Sequence, residues 1–244
     1  MTTSDGARRG HGGAPVGRRV VLAMIGLGAV GVVAGRRIQD SINSALGPVV
    51  SNDPTGLSSL IPGAGGGRIY TVTDGYPSVD RSAYRLRVDG RVNQALSLSL
   101  DDLRAMAPTT LIKDFQCVTG WRVTGVHWQG VRLSDILDRA GMQDSGTALR
   151  FESFDGVYTE SLTLAEARRS DVIVAYEMGG KPISQAHGGP VRLYVAPMYG
   201  YKSCKWLSRV AVVSQVEPGY WERVGNYDVE AWVGRSNGRG DPAT

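Results

Sequence analysis

The order of apolar and polar residues along this chain predicts many short β-strands. The stretches "RIYTVT" (68–73) and "YRLRVDG" (84–90) alternate apolar with polar residues, as half-buried strands do. Two more, "TTLIKDFQC" and "WRVTGVHW", predict strands on either side of a turn at Cys117. Further strands are predicted at "ALRFES", "VYTESL", "DVIVAYEM", "PVRLYVAP" and "KWLSRVAVVS", with a hairpin at the "GGK" that follows Met178.

Three short helices are predicted between these strands from their capping residues. Ser99 in "SLDDLRAM" and Thr163 in "TLAEARR" each precede an acidic residue by three positions, which is the pattern of a capping box. In "LSDILDRAG", Ser134 is the predicted N-cap and Gly141 lies just past the helix end. Many strands with interspersed short helices predict a mixed α+β domain and not a doubly wound sheet.

An apolar run of 15 residues, Val20–Ala34, lies between arginine pairs at 18–19 and 36–37. It is short for a membrane span of about 20 residues but typical of the hydrophobic region of an export signal. The arginine pair before it indicates the twin-arginine route, which predicts a protein in the periplasm or on the outer face of the cytoplasmic membrane. Residues 1–37 are therefore a removable signal or an uncleaved anchor formed by residues 18–37. A buried helix of the domain is disfavoured by the flanking arginines.

Composition divides the rest of the 244-residue chain into a linker and a domain. Residues 38–67 are rich in Ser, Asn, Pro and Gly and end in "IPGAGGG", which predicts a flexible tether before a domain at 68–244. The net charge is +4, and beyond the N-terminus the basic residues are scattered. The chain therefore lacks the clustered basic face expected of a nucleic-acid-binding protein.

The chain contains two cysteines, Cys117 in "KDFQCVTGW" and Cys204 in "YKSCKWL". From the residues alone, Cys117 is open to four interpretations: a packed thiol, half of a disulfide, a nucleophile or a metal ligand. A Cys117–Cys204 disulfide would make the chain a disulfide-stabilised extracellular β domain. As a ligand, a thiolate suits a soft metal better than oxygen donors do.

Four separated stretches follow one another along the chain: "DFQCVTGW", "RFES", "HGGPVRLYVAPMYGYKSCKWLSRV" and "EPGYWE". Together they resemble the molybdopterin-binding domain of the sulfite oxidase family. The likeness is greatest to its exported bacterial branch, which includes the catalytic subunit of periplasmic protein-methionine-sulfoxide reductase. The resemblance implies an oxidoreductase with a molybdenum–molybdopterin cofactor, in which one pterin dithiolene and Cys117 hold the metal.

The resemblance also implies which residues contact the cofactor. Cys117 is the metal ligand and catalytic residue, and Trp121 and Trp128 are expected to wall the site. Arg192 would offer its planar fork to a phosphate, whereas His187 stands where the methionine-sulfoxide reductase branch has asparagine. Cys204 is open to a packing role as well. The implied cofactor contacts are Tyr70, Thr71, Ser153, His187, Arg192, Lys205 and the backbone of Ser203 and Cys204.

The implied reaction is a two-electron oxygen-atom transfer, with a membrane haem protein or another electron carrier as the redox partner. Sulfite oxidases place arginines just after the ligand cysteine, whereas "VTGWR" offers Arg122, and the sequence ends without their C-terminal dimerisation domain. Both differences favour reduction of small or protein-bound S-oxides, or of N-oxides. The alternatives are oxidation of sulfite or another small oxyanion, and a non-catalytic exported binding protein that kept the fold.

Overall fold

A computed structural model describes residues 69–119 and 121–234 of the chain. The predicted signal or anchor and the whole predicted linker, residues 38–67, lie outside these residues, so the proposed domain boundaries stay a prediction. Within the two described ranges, no helix is long and apolar enough to cross a membrane.

The first sheet has five strands and joins the beginning of the domain to its end. Its strands are β1 (Leu86–Gly90), β2 (Leu96–Leu98), β5 (Ala148–Ser153), β6 (Thr159–Thr163) and β10 (Leu207–Val213). Their order is β2-β1-β10-β5-β6. The β1–β10 pair is parallel, with Arg87 opposite Arg209, and the other pairs are antiparallel.

The second sheet also has five strands and carries the hairpin with Cys117. Its strands are β3 (Thr109–Gln116), β4 (Arg122–Arg132), β7 (Val172–Met178), β8 (Lys181–Pro182) and β9 (Arg192–Val195). β3, β4, β7 and β8 follow one another in that order, and β9 also pairs with β7. Alternate residues of β7 enter different apolar clusters: Val172 and Val174 enter the main core, while Ile173 and Ala175 pack with Trp128. β7 is therefore buried on both faces, which explains its continuous apolar sequence.

Short helices cover the sheets: α1 (Leu100–Ala105), α2 (Leu133–Ala140), α3 (Leu164–Ala167) and α4 (Tyr220–Gly225). The capping boxes predicted at Ser99 and Thr163 are confirmed, and Gly141 ends α2 in the left-handed conformation. The N-cap predicted at Ser134 is wrong. α2 begins at Leu133 with Arg132 as its N-cap, two residues earlier than a cap at Ser134 would give, because the buried Leu133 opens its apolar face. Ser134 therefore lies inside the first turn. The prediction of a mixed α+β fold is confirmed.

The strand predicted over 68–73 is also wrong in the part that the structure describes. Residues 69–73 belong to neither sheet, and Ile69 and Tyr70 are 37% and 46% exposed. Alternation predicts a strand only where a neighbouring strand and a core lie beside it. Here the Tyr70 carbonyl instead accepts a hydrogen bond from Lys205.

A buried group of three charged side chains joins β6, the loop before β10 and α4. Lys202 Nζ lies 2.6 Å from Glu160 Oε1 and 2.6 Å from Glu222 Oε1, and all three side chains are at most 1% exposed. The Ser161 amide donates to Glu160 Oε1 and the Gly219 amide to Glu222 Oε2. Burial raises the pKa of Glu160 to about 8, although the Lys202 charge opposes the shift. We call this group the buried triad.

The buried triad predicts a stability that falls as pH rises. A carboxyl whose pKa is 4.5 when unfolded and about 8 when folded binds more proton in the folded state between those values. The free energy of unfolding should therefore decrease from about pH 5 to pH 8. Glu160→Gln should flatten this decrease, which urea unfolding at several pH values would measure. An equal slope in both proteins would contradict the assignment to Glu160.

Candidate functional site

The β3–β4 hairpin holds Cys117 in its loop. The Cys117 amide donates to the Trp121 carbonyl at 2.8 Å, and Gln116 Nε2 donates to the Cys117 and Trp121 carbonyls at 3.2 Å each. Arg122 Nε fixes the Gln116 amide by donating to Oε1 at 3.0 Å. The loop is closed by these bonds, with the half-buried Cys117 sulfur 3.2 Å from Thr119 Oγ1.

A row of aromatic rings lines one side of this loop. Phe115 stacks on Trp121 with ring centroids 5.8 Å apart and lies 6.3 Å from Trp128. Trp128 stacks on Tyr194 at 4.1 Å. The Tyr194 hydroxyl donates to the Asp114 carbonyl at 2.7 Å and so ties β9 to β3. Trp121 and Trp128 thus belong to one apolar wall that begins at the Cys117 loop.

The loop at 199–206 packs against the same hairpin. Gly200 begins a short 3-10 turn, Gly200–Lys202. A β-carbon at Gly200 would lie 2.4 Å from Cζ of Phe115, so a side chain cannot be accommodated there. The absence of a side chain at this position lets the loop that carries Ser203, Cys204 and Lys205 approach the Cys117 hairpin.

Arg192 connects this loop to the preceding one. Its buried guanidinium donates to the His187 carbonyl at 2.8 Å and to the Ser203 carbonyl at 3.1 Å. The guanidinium also lies 5.3 Å from the Phe115 ring centroid and 5.5 Å from that of Trp128. Arg192 therefore fixes the two loops against the aromatic wall.

Lys205 lies beside the same two loops. Its ammonium group donates to the Tyr70 carbonyl and lies 4.5 Å from the Trp206 ring centroid. Gly188 has a φ of +96°, and a β-carbon there would lie 2.6 Å from Cβ of Lys205. Glycine at 188 thus permits both the left-handed turn and the close approach of Lys205. The His187 ring accepts or donates a 2.8 Å hydrogen bond at Nδ1 with Ser184 Oγ.

His187, Arg192 and Lys205 form a cationic cluster with unusual titration. Burial lowers the pKa of Arg192 to about 10. Burial, and then the Arg192 charge, lowers the pKa of Lys205 to about 7. Burial, followed by the charges of Arg192 and Lys205, also lowers the pKa of His187. Within the described ranges neither Arg192 nor Lys205 has a carboxylate in an ion pair. A bound anion such as a phosphate would compensate this charge.

The other predicted contact residues fall into two groups. Ser203 and Cys204 belong to the loop, but the Ser203 hydroxyl accepts from the Val195 amide at 3.0 Å and the Cys204 sulfur is buried in the main core. The Ser153 hydroxyl accepts from the Asp155 amide at 3.1 Å, and the Thr71 hydroxyl donates to the Thr73 carbonyl at 2.8 Å. The structure thus brings Tyr70, His187, Arg192, Ser203 and Lys205 together, while the Thr71 side chain bonds locally. Their roles as cofactor contacts stay a prediction.

Asp155 is a candidate that the sequence analysis did not identify. Its Oδ1 accepts from the amides of Val157 and Tyr158 at 2.9 and 2.8 Å. Its Oδ2 is buried and has no hydrogen-bond partner among the described residues. The Asp155 charge also raises the pKa of Lys205, against the larger opposing effects of burial and of the Arg192 charge, so the two side chains interact electrostatically. A pterin ring, which carries several N–H donors, would satisfy Oδ2.

These residues fit a molybdenum–pterin cofactor in chemical terms. Both cysteines are free thiols, so the Cys117 sulfur is available as a soft ligand. The described residues contain no cluster of three or more His, Cys, Asp or Glu side chains that could hold a metal ion alone. With Cys117 as the protein ligand, the dithiolene of a bound pterin would supply further ligands to the metal. The cationic cluster and Asp155 Oδ2 offer that cofactor an anion site and an acceptor.

Comparison with known proteins agrees with this chemistry. Residues 73–221 match the family model described as "Oxidoreductase molybdopterin binding domain". An uncharacterised oxidoreductase of Bacillus subtilis, YuiH, is 33% identical over 146 residues, which cover 60% of this chain and 73% of YuiH. Mouse mitochondrial sulfite oxidase is 36% identical over 175 residues, which cover 60% of this chain. The match spans about a third of the mouse enzyme, 32%.

A more distant relative and a solved structure complete the comparison. A proposed protein-methionine-sulfoxide reductase subunit of Azospira oryzae, YedZ1, is 28% identical over 156 residues, or 64% of this chain and 59% of the subunit. The sulfane dehydrogenase SoxCD of Paracoccus pantotrophus has a similar fold, with a TM-score of 0.54 and 23% identity. The likeness covers 61% of this chain and 42% of that one.

Proposed function

Because this chain belongs to the oxidoreductase molybdopterin-binding domain family, we propose that it is an exported enzyme that reduces neutral S-oxides, with N-oxides as a second substrate class. It is a sulfite oxidase-like oxidoreductase, and its cofactor is molybdenum–molybdopterin. The direction of the reaction and the class of substrate are the parts that we propose here.

The pairing of the charged groups in the Cys117 hairpin carries this proposal. Sulfite is a small anion, and its binding calls for cations that are free to meet it. Arg122, in the Cys117 hairpin, is already engaged by Gln116 Oε1 at 3.0 Å and by an Asp114 carboxylate oxygen at 3.4 Å. The remaining neighbours include the exposed Val118 and the half-buried ring of Trp121. Such a surface favours a neutral sulfoxide over a charged oxyanion.

The chain's own residues divide the work on this proposal. Cys117 holds the metal, the cationic cluster and Asp155 hold the pterin, and the aromatic wall keeps water from one side of the site. When bound, the cofactor supplies the two-electron oxygen-atom transfer. Reduction of an S-oxide takes up two electrons and two protons and releases the sulfide and water. The electrons come from a one-electron carrier, for which we propose a membrane haem protein.

Oxidation of sulfite is the second candidate, because the 36% identity to mouse sulfite oxidase exceeds the 28% identity to the Azospira reductase subunit. It requires an anion-binding group at the site, and we take Lys205 as the candidate because burial lowers its pKa and no carboxylate pairs with it within the described ranges. Sulfite turnover would then fall as pH rises through about 7, the pKa of Lys205.

The deciding experiment uses the full chain purified from a host that makes molybdopterin. We expect close to one molybdenum per chain by mass spectrometry. Reduced viologen dye should be oxidised by dimethyl sulfoxide, by methionine sulfoxide in a peptide and, more slowly, by trimethylamine N-oxide. Sulfite with ferricyanide as acceptor should give at least about tenfold lower kcat/KM. Faster sulfite turnover would reverse the assigned direction, and protein without molybdenum would return the non-catalytic binding protein as the better interpretation.

A further inference from the structure

We propose that the indole N–H of Trp121 donates a hydrogen bond to an oxygen atom bound at the Cys117 site, either on the metal centre or on the substrate. The inference rests on the function proposed above. It adds a hydrogen-bond donor to the bound oxygen, a role that the proposed function assigned to no residue. Trp121 would then be a catalytic residue and more than a wall of the site.

The first observation is the state of the indole nitrogen. Trp121 Nε1 is buried and has no hydrogen-bond partner among the described residues. An indole nitrogen can only donate, and leaving it buried without an acceptor costs about 1–3 kcal/mol. Trp206 shows the usual arrangement in this fold, because its Nε1 donates to the Gln185 carbonyl at 2.8 Å. The donor of Trp121 therefore calls for an acceptor that the described residues do not provide.

The second observation is the fixed position of Trp121 beside the metal ligand. Its carbonyl accepts from the Cys117 amide at 2.8 Å and from Gln116 Nε2 at 3.2 Å. Its ring stacks on Phe115 at 5.8 Å with an interplanar angle of 27°. Phe115 in turn lies 5.3 Å from the Arg192 guanidinium of the cationic cluster. The backbone and the ring are thus both held, and little conformational entropy is lost when the N–H meets an acceptor.

Trp128 provides a contrast within the same wall. Its Nε1 is likewise buried without a partner among the described residues, but its ring is 1% exposed in the second apolar cluster and stacks on Tyr194. Trp128 lies in the body of β4, whereas Trp121 lies in the loop that carries Cys117. Only Trp121 combines an unpartnered donor with a direct backbone link to Cys117 within the described ranges.

The chemistry of the acceptor follows from the donor. An N–H that is screened from water gains most from an oxygen that carries partial negative charge, such as an oxygen on the metal or the oxygen of a sulfoxide. Such a bond would strengthen as the S–O bond lengthens and negative charge gathers on the oxygen. If the acceptor is the substrate oxygen, Trp121 would therefore contribute to turnover. If the acceptor is on the cofactor, Trp121 would affect the resonance signal of the metal centre and the stability that the cofactor adds.

The test compares Trp121→Phe with Trp221→Phe in the cofactor-loaded and cofactor-free full chain. Both substitutions keep a six-membered ring and remove an N–H. Trp221 is a matched control because it stacks on Tyr227 with the same separation, 5.8 Å, and the same angle, 27°, on α4. The cofactor-free Trp121→Phe protein should be close to the native protein in stability, since the loss of ring contacts with Phe115 is offset by removal of a buried donor without a partner.

Two results would support the inference, and they distinguish a substrate oxygen from a metal-bound oxygen as the acceptor. If the acceptor is the substrate oxygen, kcat/KM for S-oxides should fall about tenfold, while the electron paramagnetic resonance signal and the thermal stabilisation by the cofactor stay native. If the acceptor is an oxygen on the metal centre, both the resonance signal and the gain in melting temperature on cofactor loading should change. Trp221→Phe should change none of these quantities.

Two other results would overturn it. A Trp121→Phe protein with native molybdenum content, kinetics, resonance signal and cofactor stabilisation would exclude the hydrogen bond and leave the proposed function intact. A native chain that contains no molybdenum would remove the proposed function and this inference together.

Discussion

Replacing Cys117 by serine should lower turnover of S-oxides by at least about a hundredfold, because even changes in the groups around metal ligands often cost 10–100-fold. A serine oxygen is a harder ligand than a thiolate and binds the metal less well. The fold should persist, because Cys117 is half-buried in a hairpin loop that other hydrogen bonds keep closed. Turnover per chain, molybdenum content and circular dichroism of the same preparation would check each part.

Cys204→Ala is the matched control for loss of a thiol. The Cys204 sulfur is buried in the main core, so this change should cost about 1 kcal/mol of stability, as for other small core truncations. Molybdenum content and turnover per molybdenum should stay close to native. Native turnover in Cys117→Ser would remove the ligand assignment, and a loss of molybdenum in Cys204→Ala alone would transfer that assignment to Cys204.

Lys202→Met should destabilise the fold by about 3–5 kcal/mol at pH 8, the usual cost of removing one partner of a buried ion pair. The ammonium group of Lys202 meets two carboxylates at 2.6 Å in a region that excludes water. Without it, Glu160 and Glu222 face each other as buried like charges or must take up protons. The loss should therefore be smaller at pH 5, where protonation of the carboxyls is easy. Urea unfolding at both pH values would measure it.

Arg168→Met is the control for an exposed ion pair. Arg168 lies 2.8 Å from Asp138, but these side chains are 40% and 61% exposed. Removing such a pair should cost about 0–1 kcal/mol. An equally small loss in Lys202→Met would mean that the buried triad does little to hold α4 against the loop before β10.

The fold could largely be predicted from local patterns. Alternation and apolar runs located the strands from β3 onward because those strands have a core on one or both faces. Caps located α1 and α3 because a capping box is a property of four consecutive residues. The strand predicted at 68–73 was wrong for the opposite reason. The residues alternate, but no neighbouring strand or core lies beside the described part, 69–73. β2 and α4 were missed, because three residues give too little pattern for a strand and the N-cap of α4, Gly219, offers no side chain.

The family, the oxidoreductase class and the molybdenum–molybdopterin cofactor are confirmed by the family match. The sequence also indicated two loops of the candidate site, around Cys117 and around Lys205, because both stand in motifs that resemble the family; their roles stay a prediction. It could not show that Arg192 bonds two loop carbonyls, or that Asp155 and Trp121 each have a buried polar atom without a partner. Those facts depend on contacts between residues far apart in the chain, which no local spacing encodes.

The parallel pairing of β1 with β10 bears on how the protein is made. Residues 87 and 209 become neighbours only after more than a hundred intervening residues have been synthesised. At typical translation rates of about 5–20 residues per second, β1 waits roughly ten seconds for its partner. Contacts this distant in the chain also slow folding itself. The first sheet therefore closes only after most of the chain has been synthesised, and until then β2 is the one partner strand that β1 can reach early.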